Sequence, residues 1–467
     1  MRSLYKNIFL FIYTILIISF LYSEGNISFE DPLIEITQRR HATIIWGTDN
    51  EVINLIKELD LENSTDFNKE LLELLYSSKS LKISDAILNY FSKIQNISAK
   101  NFVLRILEDR NNINNASVEA AINYVSALKI VEALPFLRDI LDSEESRFLS
   151  SAVKAIGSCG YADDSIVLFM LDYLENRFPS ELLKSDLIFA LGELKSVKAI
   201  AFLTTIAENT DEKSSKRILA IEALGKIAFS DSVDSILRII QDSDANVRLF
   251  CYSTLSSFND KRINNQILQG FRDSYYKIRM ISSKLSGEKI LIEAVPFLIY
   301  RIKYDDVQAV KEESIKALGL IANMDSEYFL NEYFNNKNLS DKNKILIADA
   351  LIKINTKKYL QQIIAAYDDA KSNNKQKLQS GLANIFTKII DKSLFDLTSR
   401  LIISDDIIEK NYGLDLAILN LFTEMTGQIE IISSNEKTNT ALVLKANKFL
   451  KAIKANQKSL TPGASIE

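Results

Sequence analysis

Residues 242–256 read DSDANVRLFCYSTLS, and this stretch decides the fold because its pattern returns along the chain at a nearly constant interval. Each copy ends on a Gly or Ser inside an apolar run, at positions 192, 225, 256, 287 and 319, in steps of 33, 31, 31 and 32 residues. Since each period holds two stretches with helical spacing, it predicts a stacked array of helical hairpins. The chain contains 13 Gly and 5 Pro, too few for the many tight turns of an all-β protein.

Charged residues follow the same register. A base stands eight positions before each Gly or Ser, and in four repeats an Asp stands six positions before that base. The pairs are Asp211 with Arg217, Asp242 with Arg248, Asp273 with Arg279, and Asp305 with Lys311. We predict that each Asp lies in the turn between the two helices of a repeat and caps the second helix. The base then lies near its own Asp and near the Asp of the adjacent repeat, so that the charges form a ladder.

The stretch from Asp242 to Ser256, with Val247-Arg248 and Leu255, resembles HEAT repeats, in particular the short bacterial class also found in phycobilin lyase proteins. Ser256 departs from the Gly of that pattern. The resemblance covers residues 116–390 and implies an all-α fold, an α-α superhelix in the form of a curved solenoid of about eight or nine hairpins with degenerate helical caps. It also implies that the Asp and Arg positions form an intra-repeat ladder and that the second helices line the concave face.

Sequence composition and repeat quality predict five regions along the chain. They are a signal peptide or uncleaved anchor at 1–23, an N-terminal helical region at 24–115, the repeat array at 116–390, a C-terminal helical cap at 391–456, and a flexible tail at 457–467. Pro135 and Pro296 stand in near-identical segments and mark helix starts, since Pro in the first turn costs no helical hydrogen bond.

Apolar residues at three- and four-residue spacing predict helices outside the array. The predicted helices are Pro32–Trp46, Asp49–Leu59, Phe67–Tyr76, Leu81–Ile94, Phe102–Leu107, Asp415–Met425 and Thr438–Ile453. In the last of them we expect Leu442, Leu444, Phe449 and Leu450 to face the stack.

The N-terminus carries an export pattern. Arg2 and Lys6 precede an apolar run from Ile8 to Phe20, and Leu21-Tyr22-Ser23 offers a cleavage site. Cleavage is favoured, and an uncleaved anchor remains the alternative. No Cys precedes Cys159, which excludes N-terminal lipidation by the lipoprotein route. We therefore expect an exported, periplasmic protein or, alternatively, one anchored in the inner membrane and facing the periplasm.

Several classes of chemistry lack the residues they need. His41 is the one histidine, so no His-rich metal site forms, and the repeated His-Glu pairs of HEAT-like di-iron deoxyhypusine hydroxylases are missing. No nucleotide-binding or EF-hand motif appears. With 56 basic and 61 acidic side chains the net charge is -5, which disfavours nucleic acid as a partner. Cys159 and Cys251 are expected to be buried in helices. No cofactor and no catalytic residue is predicted.

These observations favour a non-catalytic scaffold that binds another protein in the bacterial cell envelope. We expect a binding groove on the second helices, with Lys226, Tyr252 and Lys284 as candidate concave-face contacts. The alternatives are a lyase-like or other enzyme-accessory HEAT protein, and a membrane-tethered factor associated with the envelope or with peptidoglycan. Membrane contact is expected only through the N-terminal segment, if it is uncleaved.

Overall fold

The computed structural model describes residues 32–160, 163–177, 179–435 and 439–460. The predicted signal peptide or anchor at 1–23 lies outside these residues. Within them the regular secondary structure is helical throughout, so the all-α fold class is confirmed. The chain divides into two compact units, Met1–Leu203 and Thr204–Glu467.

The first unit consists of stacked helical hairpins. Its helices are α1 (Pro32–Trp46), α2 (Asp49–Glu62), α3 (Asn68–Ser77), α4 (Leu81–Lys93), α5 (Lys100–Glu108), α6 (Asn115–Ala127), α7 (Leu134–Asp142), α8 (Leu149–Cys159), α9 (Asp164–Asn176) and α10 (Glu181–Leu194). Odd-numbered helices are the first helices of the hairpins and even-numbered helices are the second. Each second helix packs on the next second helix, as α4 does on α6 and α6 on α8.

The second unit repeats this arrangement, and the boundary between the units falls within α11. Its helices are α11 (Ile200–Glu208), α12 (Ser214–Ile227), α13 (Ser230–Ile239), α14 (Ala245–Thr254), α15 (Arg262–Gly270), α16 (Tyr276–Glu288), α17 (Val295–Tyr304), α18 (Gln308–Ile321), α19 (Met324–Phe334), α20 (Asp341–Ser372), α21 (Gln376–Phe386), α22 (Phe395–Ile403), α23 (Ile407–Asn420), α24 (Thr426–Ser434) and α25 (Thr440–Leu460).

Helix α20 contains two helices joined without a loop. Asn355 has the non-helical dihedrals φ −155° and ψ 91°, and its side-chain oxygen accepts a hydrogen bond of 3.1 Å from the amide of Lys358. The half before Asn355 is the second helix of the hairpin that begins with α19, and the half after it pairs with α21. Counted in this way, the described part of residues 116–390 holds eight complete hairpins, from α7–α8 to the pair ending in α21, within the predicted eight or nine.

The recurring Gly has a packing reason. An added Cβ at Gly287 in α16 would lie 2.8 Å from the Cα of Ala317, and one at Gly319 in α18 would lie 2.7 Å from the Cβ of Ala350. Ala317 stands two positions before Gly319 in its own repeat. The Gly of one repeat therefore packs against the Ala of the next. Any side chain at the Gly would push neighbouring second helices apart. The Gly and Ala of the Ala-Leu-Gly pattern therefore form the contact between neighbouring second helices.

Several predicted elements need correction at their ends. The helix predicted at Asp415–Met425 begins earlier, because the carboxylate of Asp406 caps α23 by accepting from the amides of Ile408 and Glu409. It ends at Asn420, where Leu421 adopts φ 50°. The predicted inward face of the last helix was wrong at Leu444, which is exposed, while Leu442 and Phe449 are buried. The predicted flexible tail begins within α25, and residues 461–467 lie outside the described part.

Candidate protein-binding surface

Three largely buried arginine–aspartate ion pairs join adjacent hairpins of the second unit, and we call this set the ladder. Its rungs are Arg217 with Asp242, Arg248 with Asp273, and Arg279 with Asp305. Two rungs are bidentate: Arg248 reaches Asp273 at 2.9 and 3.0 Å, and Arg279 reaches Asp305 at 2.7 and 2.9 Å. The side chains of each rung are largely buried, so the ladder is part of the packing between repeats.

The ladder runs between repeats, which corrects the intra-repeat pairing that the family resemblance implied. Nη1 of Arg248 donates to main-chain carbonyl oxygens of its own repeat, at Asp242 (2.8 Å) and Ser243 (3.1 Å). Its Nε and Nη2 donate to Asp273 of the next repeat. Nη1 of Arg279 likewise donates to the main-chain carbonyl oxygens of Asp273 and Ser274, both at 3.0 Å. Each guanidinium thus fixes a turn and also ties that turn to the following hairpin.

The ladder aspartates also differ from the predicted helix caps. The carboxylate of Asp242 accepts a hydrogen bond of 2.8 Å from the amide of Asp244, and Asp244 is the residue that caps α14. Asp273 and Asp305 likewise accept from residues two positions on, Tyr275 and Val307. These aspartates therefore close a turn just before the helix and do not cap the helix amides.

The first and last predicted members do not join the ladder. Asp211 is exposed, and the turn hydrogen bond of its repeat is formed by Asn209, whose side chain accepts from the amide of Asp211 at 3.0 Å. The side chain of Lys311 forms no ion pair within the described residues, and the corresponding turn of the next repeat carries the neutral Asn336. At both ends of the ladder an asparagine side chain, and not an aspartate, accepts the turn hydrogen bond.

The electrostatics of the two bidentate rungs favour the ionised forms of their carboxylates. Burial alone would raise the pKa of Asp273, but the hydrogen bonds from Arg248 and from the amide of Tyr275 outweigh it and hold the pKa below its ordinary value. The same balance, with Arg279 as partner, lowers the pKa of Asp305. A carboxylate held ionised by an arginine is a poor proton donor or acceptor near neutral pH. The ladder is structural.

The three predicted contact residues lie in different surroundings. Tyr252 is buried, with 3% of its surface exposed, and its hydroxyl donates to the carbonyl of Gln266 at 3.1 Å; its prediction as an exposed contact was wrong. Its aromatic ring fills the space beneath Gly270, a contact between hairpins that the sequence did not reveal. Lys226 is half-buried. Lys284 is exposed on α16, with its Nζ 3.7 Å from Glu288 of the same helix.

A groove with exposed aromatic side chains lies on first helices, between α17 and α19. It has a volume of about 740 Å³, and its lining includes Pro296 and Lys303 from α17 together with Tyr328, Phe329 and Tyr333 from α19. The rings of Phe329 and Tyr333 stack at 5.2 Å, and Nζ of Lys303 lies 5.4 Å from the centre of the Phe329 ring. The groove therefore has an ordered aromatic floor.

One wall of the groove is exposed. Tyr328 has 70% of its surface exposed, and Asp325 and Glu332 are exposed on the same face of α19. The local sequence contained a signal for this face: Tyr-Phe occurs at 328–329 and again at 333–334, so successive aromatic residues alternate between the core and the surface. The prediction of a groove on the second helices did not use it.

A buried carboxylate cluster in the second unit is also structural. Glu409 accepts from Tyr367 (2.9 Å), Lys371 (2.7 Å) and Gln379 (2.7 Å), and Ser404 donates to it as well. Burial would raise the pKa of Glu409, but these donors, led by Lys371 and Ser404, lower it. With both oxygens engaged, Glu409 ties α20, α21 and α23 together.

The histidine and the two cysteines lie in separate surroundings. His41 is exposed on α1, and both cysteines are unpaired and buried. Burial raises the pKa of the Cys159 thiol, and that of the Cys251 thiol, to about 12, so neither supplies a thiolate nucleophile near neutral pH. Within the same residues no three His, Cys, Asp or Glu side chains are grouped to hold a metal ion, and none of the helices has the length and apolarity to cross a membrane.

Repeated hairpins, with Gly–Ala contacts and an inter-repeat ladder, define an α-helical repeat protein of the HEAT class. The chain belongs to the spirochaete HEAT repeat protein family, whose model matches residues 44–449.

Two curated relatives are similar over shorter stretches. Deoxyhypusine hydroxylase-B of Oryza sativa subsp. japonica is 27% identical over 164 residues, 34% of this chain and 54% of that protein. Deoxyhypusine hydroxylase of Neosartorya fischeri is 35% identical over 65 residues, 14% of this chain and 19% of that protein. The chain thus spans about half the length of the first relative and less of the second. With one histidine in the whole chain, the residues here do not fit an iron site built from repeated His-Glu pairs.

Solved structures are similar in fold alone. Kap121p bound to Nup53p is 14% identical with a TM-score of 0.45, over 90% of this chain and 53% of that chain. Importin beta is 13% identical with a TM-score of 0.44, over 87% of this chain and 62% of that chain.

Proposed function

We propose that this protein is a non-catalytic HEAT-repeat scaffold that binds another protein in a bacterial cell envelope. The observation that carries the proposal is the groove between α17 and α19, where Tyr328 is exposed beside the stacked rings of Phe329 and Tyr333. Tyrosine contributes much of the energy of protein interfaces because its ring buries a large apolar area while its hydroxyl still forms hydrogen bonds.

The polar residues of the groove suit a protein partner. Asp325 and Glu332 flank Tyr328 on α19, and Lys303 lies opposite. Charged side chains around an aromatic centre resemble the rim and core of a protein interface. The ladder and the Gly–Ala contacts supply a stack on which the first helices present this groove.

The envelope location is part of the proposal and rests on the N-terminal sequence. A basic start, an apolar run to Phe20 and a cleavage pattern ending at Ser23 support export to the periplasm. The description of the family as spirochaetal supports a bacterial source. An uncleaved segment would instead anchor the protein to the inner membrane, facing the periplasm.

Site-specific crosslinking tests the binding surface. A photoreactive phenylalanine analogue would replace Tyr328 in the full chain, and the matched control would carry it at Ile431, which is 68% exposed on α24. In the native envelope we expect the Tyr328 position to crosslink a defined protein and the Ile431 position to leave it uncaptured. Identical crosslinks at both positions, or none at Tyr328, would contradict the proposal.

N-terminal sequencing of the protein from fractionated cells tests the location separately. A periplasmic chain beginning near Glu24 supports export with cleavage. An intact N-terminus in the membrane fraction supports the anchored alternative, and recovery from the cytoplasm would overturn the envelope assignment without affecting the groove.

A further inference from the structure

A cavity of about 680 Å³ opens between α4 and α5 in the first unit. One stripe of α4 and one stripe of α5 form its main walls. They contribute Leu81, Asp85, Leu88, Phe102, Arg105 and Asp109. The ring of Phe102 meets that of Tyr76 edge-on at 5.3 Å, which adds an aromatic side to the cavity. This size suits a small organic group.

The register of the repeats explains why space is left here. In the ladder the base stands eight residues before the Gly or Ser position, and its Asp follows 25 or 26 residues after the base. Ser92 stands one residue before the end of α4, as Gly287 does in α16. The residue eight positions before Ser92 is Ser84, and the residue 25 positions after Ser84 is Asp109. Ser84 thus occupies the position of a ladder arginine, and both Ser84 and Asp109 line the cavity.

A carboxylate in this cavity lacks a partner. Oδ1 of Asp85 is buried and makes no hydrogen bond within the described residues. Burial raises the pKa of Asp85 above its ordinary value. A buried acceptor without a donor loses its solvation and gains nothing in return. In the second unit the ladder arginines donate hydrogen bonds to the buried carboxylates.

We propose that this cavity binds an ammonium or guanidinium group on an apolar stem, which takes the place of the missing ladder arginine. The cation pairs with Asp85, and the exposed Asp109 lines the rim of the cavity. The apolar stem packs on Leu88 and Phe102, and the aromatic faces favour a positive charge. The site is independent of the proposed protein-binding groove, because it lies in the other unit and recognises a single charged group.

Two further cations line the cavity. Arg105 and Lys79 are exposed at its rim. Solvent screens their repulsion of an incoming cation. The guanidinium of Arg105 could itself occupy the cavity in place of a ligand. The experiment therefore includes a neutral variant of Arg105.

Calorimetry on the full chain tests the proposal with butylguanidinium as the probe and the neutral isostere butylurea as its control. We expect the wild type to bind butylguanidinium and not butylurea. Asp85→Asn should weaken binding roughly tenfold or more, since it removes a charge-assisted hydrogen bond. Asp142→Asn, at an exposed carboxylate on α7, should leave binding unchanged. Equal affinity for both probes, or unchanged affinity in Asp85→Asn, would overturn the proposal.

Two variants fill or clear the cavity. Ser84→Arg supplies the missing guanidinium from the chain and should abolish probe binding. Binding to Arg105→Gln with none to the wild type would mean that the chain's own arginine occupies the cavity, and it would overturn the proposal.

A capped Ala-Arg-Ala peptide identifies the source of the cation. Binding as tight as that of butylguanidinium indicates a side chain of a partner protein, and exclusion of the peptide indicates a free small molecule.

Discussion

Arg279 donates two hydrogen bonds, at 2.7 and 2.9 Å, to the carboxylate of Asp305, which belongs to the next hairpin. Asp305 is also reached by Arg301 at 3.2 Å, and its side chain has no exposed surface. This rung joins α16 to the turn before α18. Its burial distinguishes it from the exposed pairs of the surface, which contribute little to stability.

Replacing Asp305 with Asn should lower the free energy of unfolding by about 3 kcal/mol. The change keeps the shape of the side chain but leaves Arg279 and Arg301 buried beside a neutral group. Urea unfolding monitored by circular dichroism measures the effect. The neighbouring Asp306, which is exposed, provides the control, since Asp306→Asn should stay within about 0.5 kcal/mol of the wild type. Equal effects of the two substitutions would contradict the structural role of the rung.

Asp242 and Asp211 look equivalent in the sequence, and the structure separates them. Asp242→Ala should destabilise by about 2 kcal/mol, because it removes both the partner of Arg217 and the acceptor for the amide of Asp244. Asp211→Ala should change the free energy of unfolding by less than about 0.5 kcal/mol, since its side chain is exposed. Comparing the two melting midpoints tests whether Asp242 stabilises its turn while Asp211 leaves that role to Asn209.

Gly287→Ala should destabilise by about 1 to 3 kcal/mol. The new methyl group would lie 2.8 Å from the Cα of Ala317, and the main chain of a helix cannot yield without moving the hairpin. Gly427, within α24, is the control, because an added Cβ there meets nothing within 4 Å. Gly427→Ala should be neutral or stabilising by up to about 1 kcal/mol, as Ala favours the helix. Thermal melts of both variants decide the point.

Glu409 predicts a pH dependence of stability. Its pKa in the folded protein lies below the ordinary value, so its contribution is present above the unfolded-state pKa of about 4.3 and is lost as pH falls through the lower, folded-state pKa. Glu409→Gln should therefore lower the melting midpoint at pH 7. The difference from the wild type should shrink below about pH 4. Parallel melts from pH 7 to pH 3 test this, and a difference that does not vary with pH would argue against an ionised Glu409.

Much of the fold could be predicted because its periodicity is local. The helix predicted at Pro32–Trp46 has those bounds in the structure, and Pro135 and Pro296 both lie in the first turn of their helices. The candidate binding surface was harder to predict from the sequence. Tyr252 looked exposed beside Arg248, yet the approach of α15 buries it, and spacing along one helix does not reveal which face the neighbouring hairpin covers.

The sequence by itself determined the all-α class, the period of the hairpins and the positions of the ladder charges, since all three depend on spacing along the chain. Only the tertiary structure decided that Arg248 pairs with Asp273 of the next repeat, because the carboxylate of Asp242 in its own repeat is already engaged by Arg217. It also decided that Tyr328 is exposed and that Oδ1 of Asp85 is buried without a hydrogen bond. Each depends on which side chains of separate hairpins fill the same space, and stacking alone settles that.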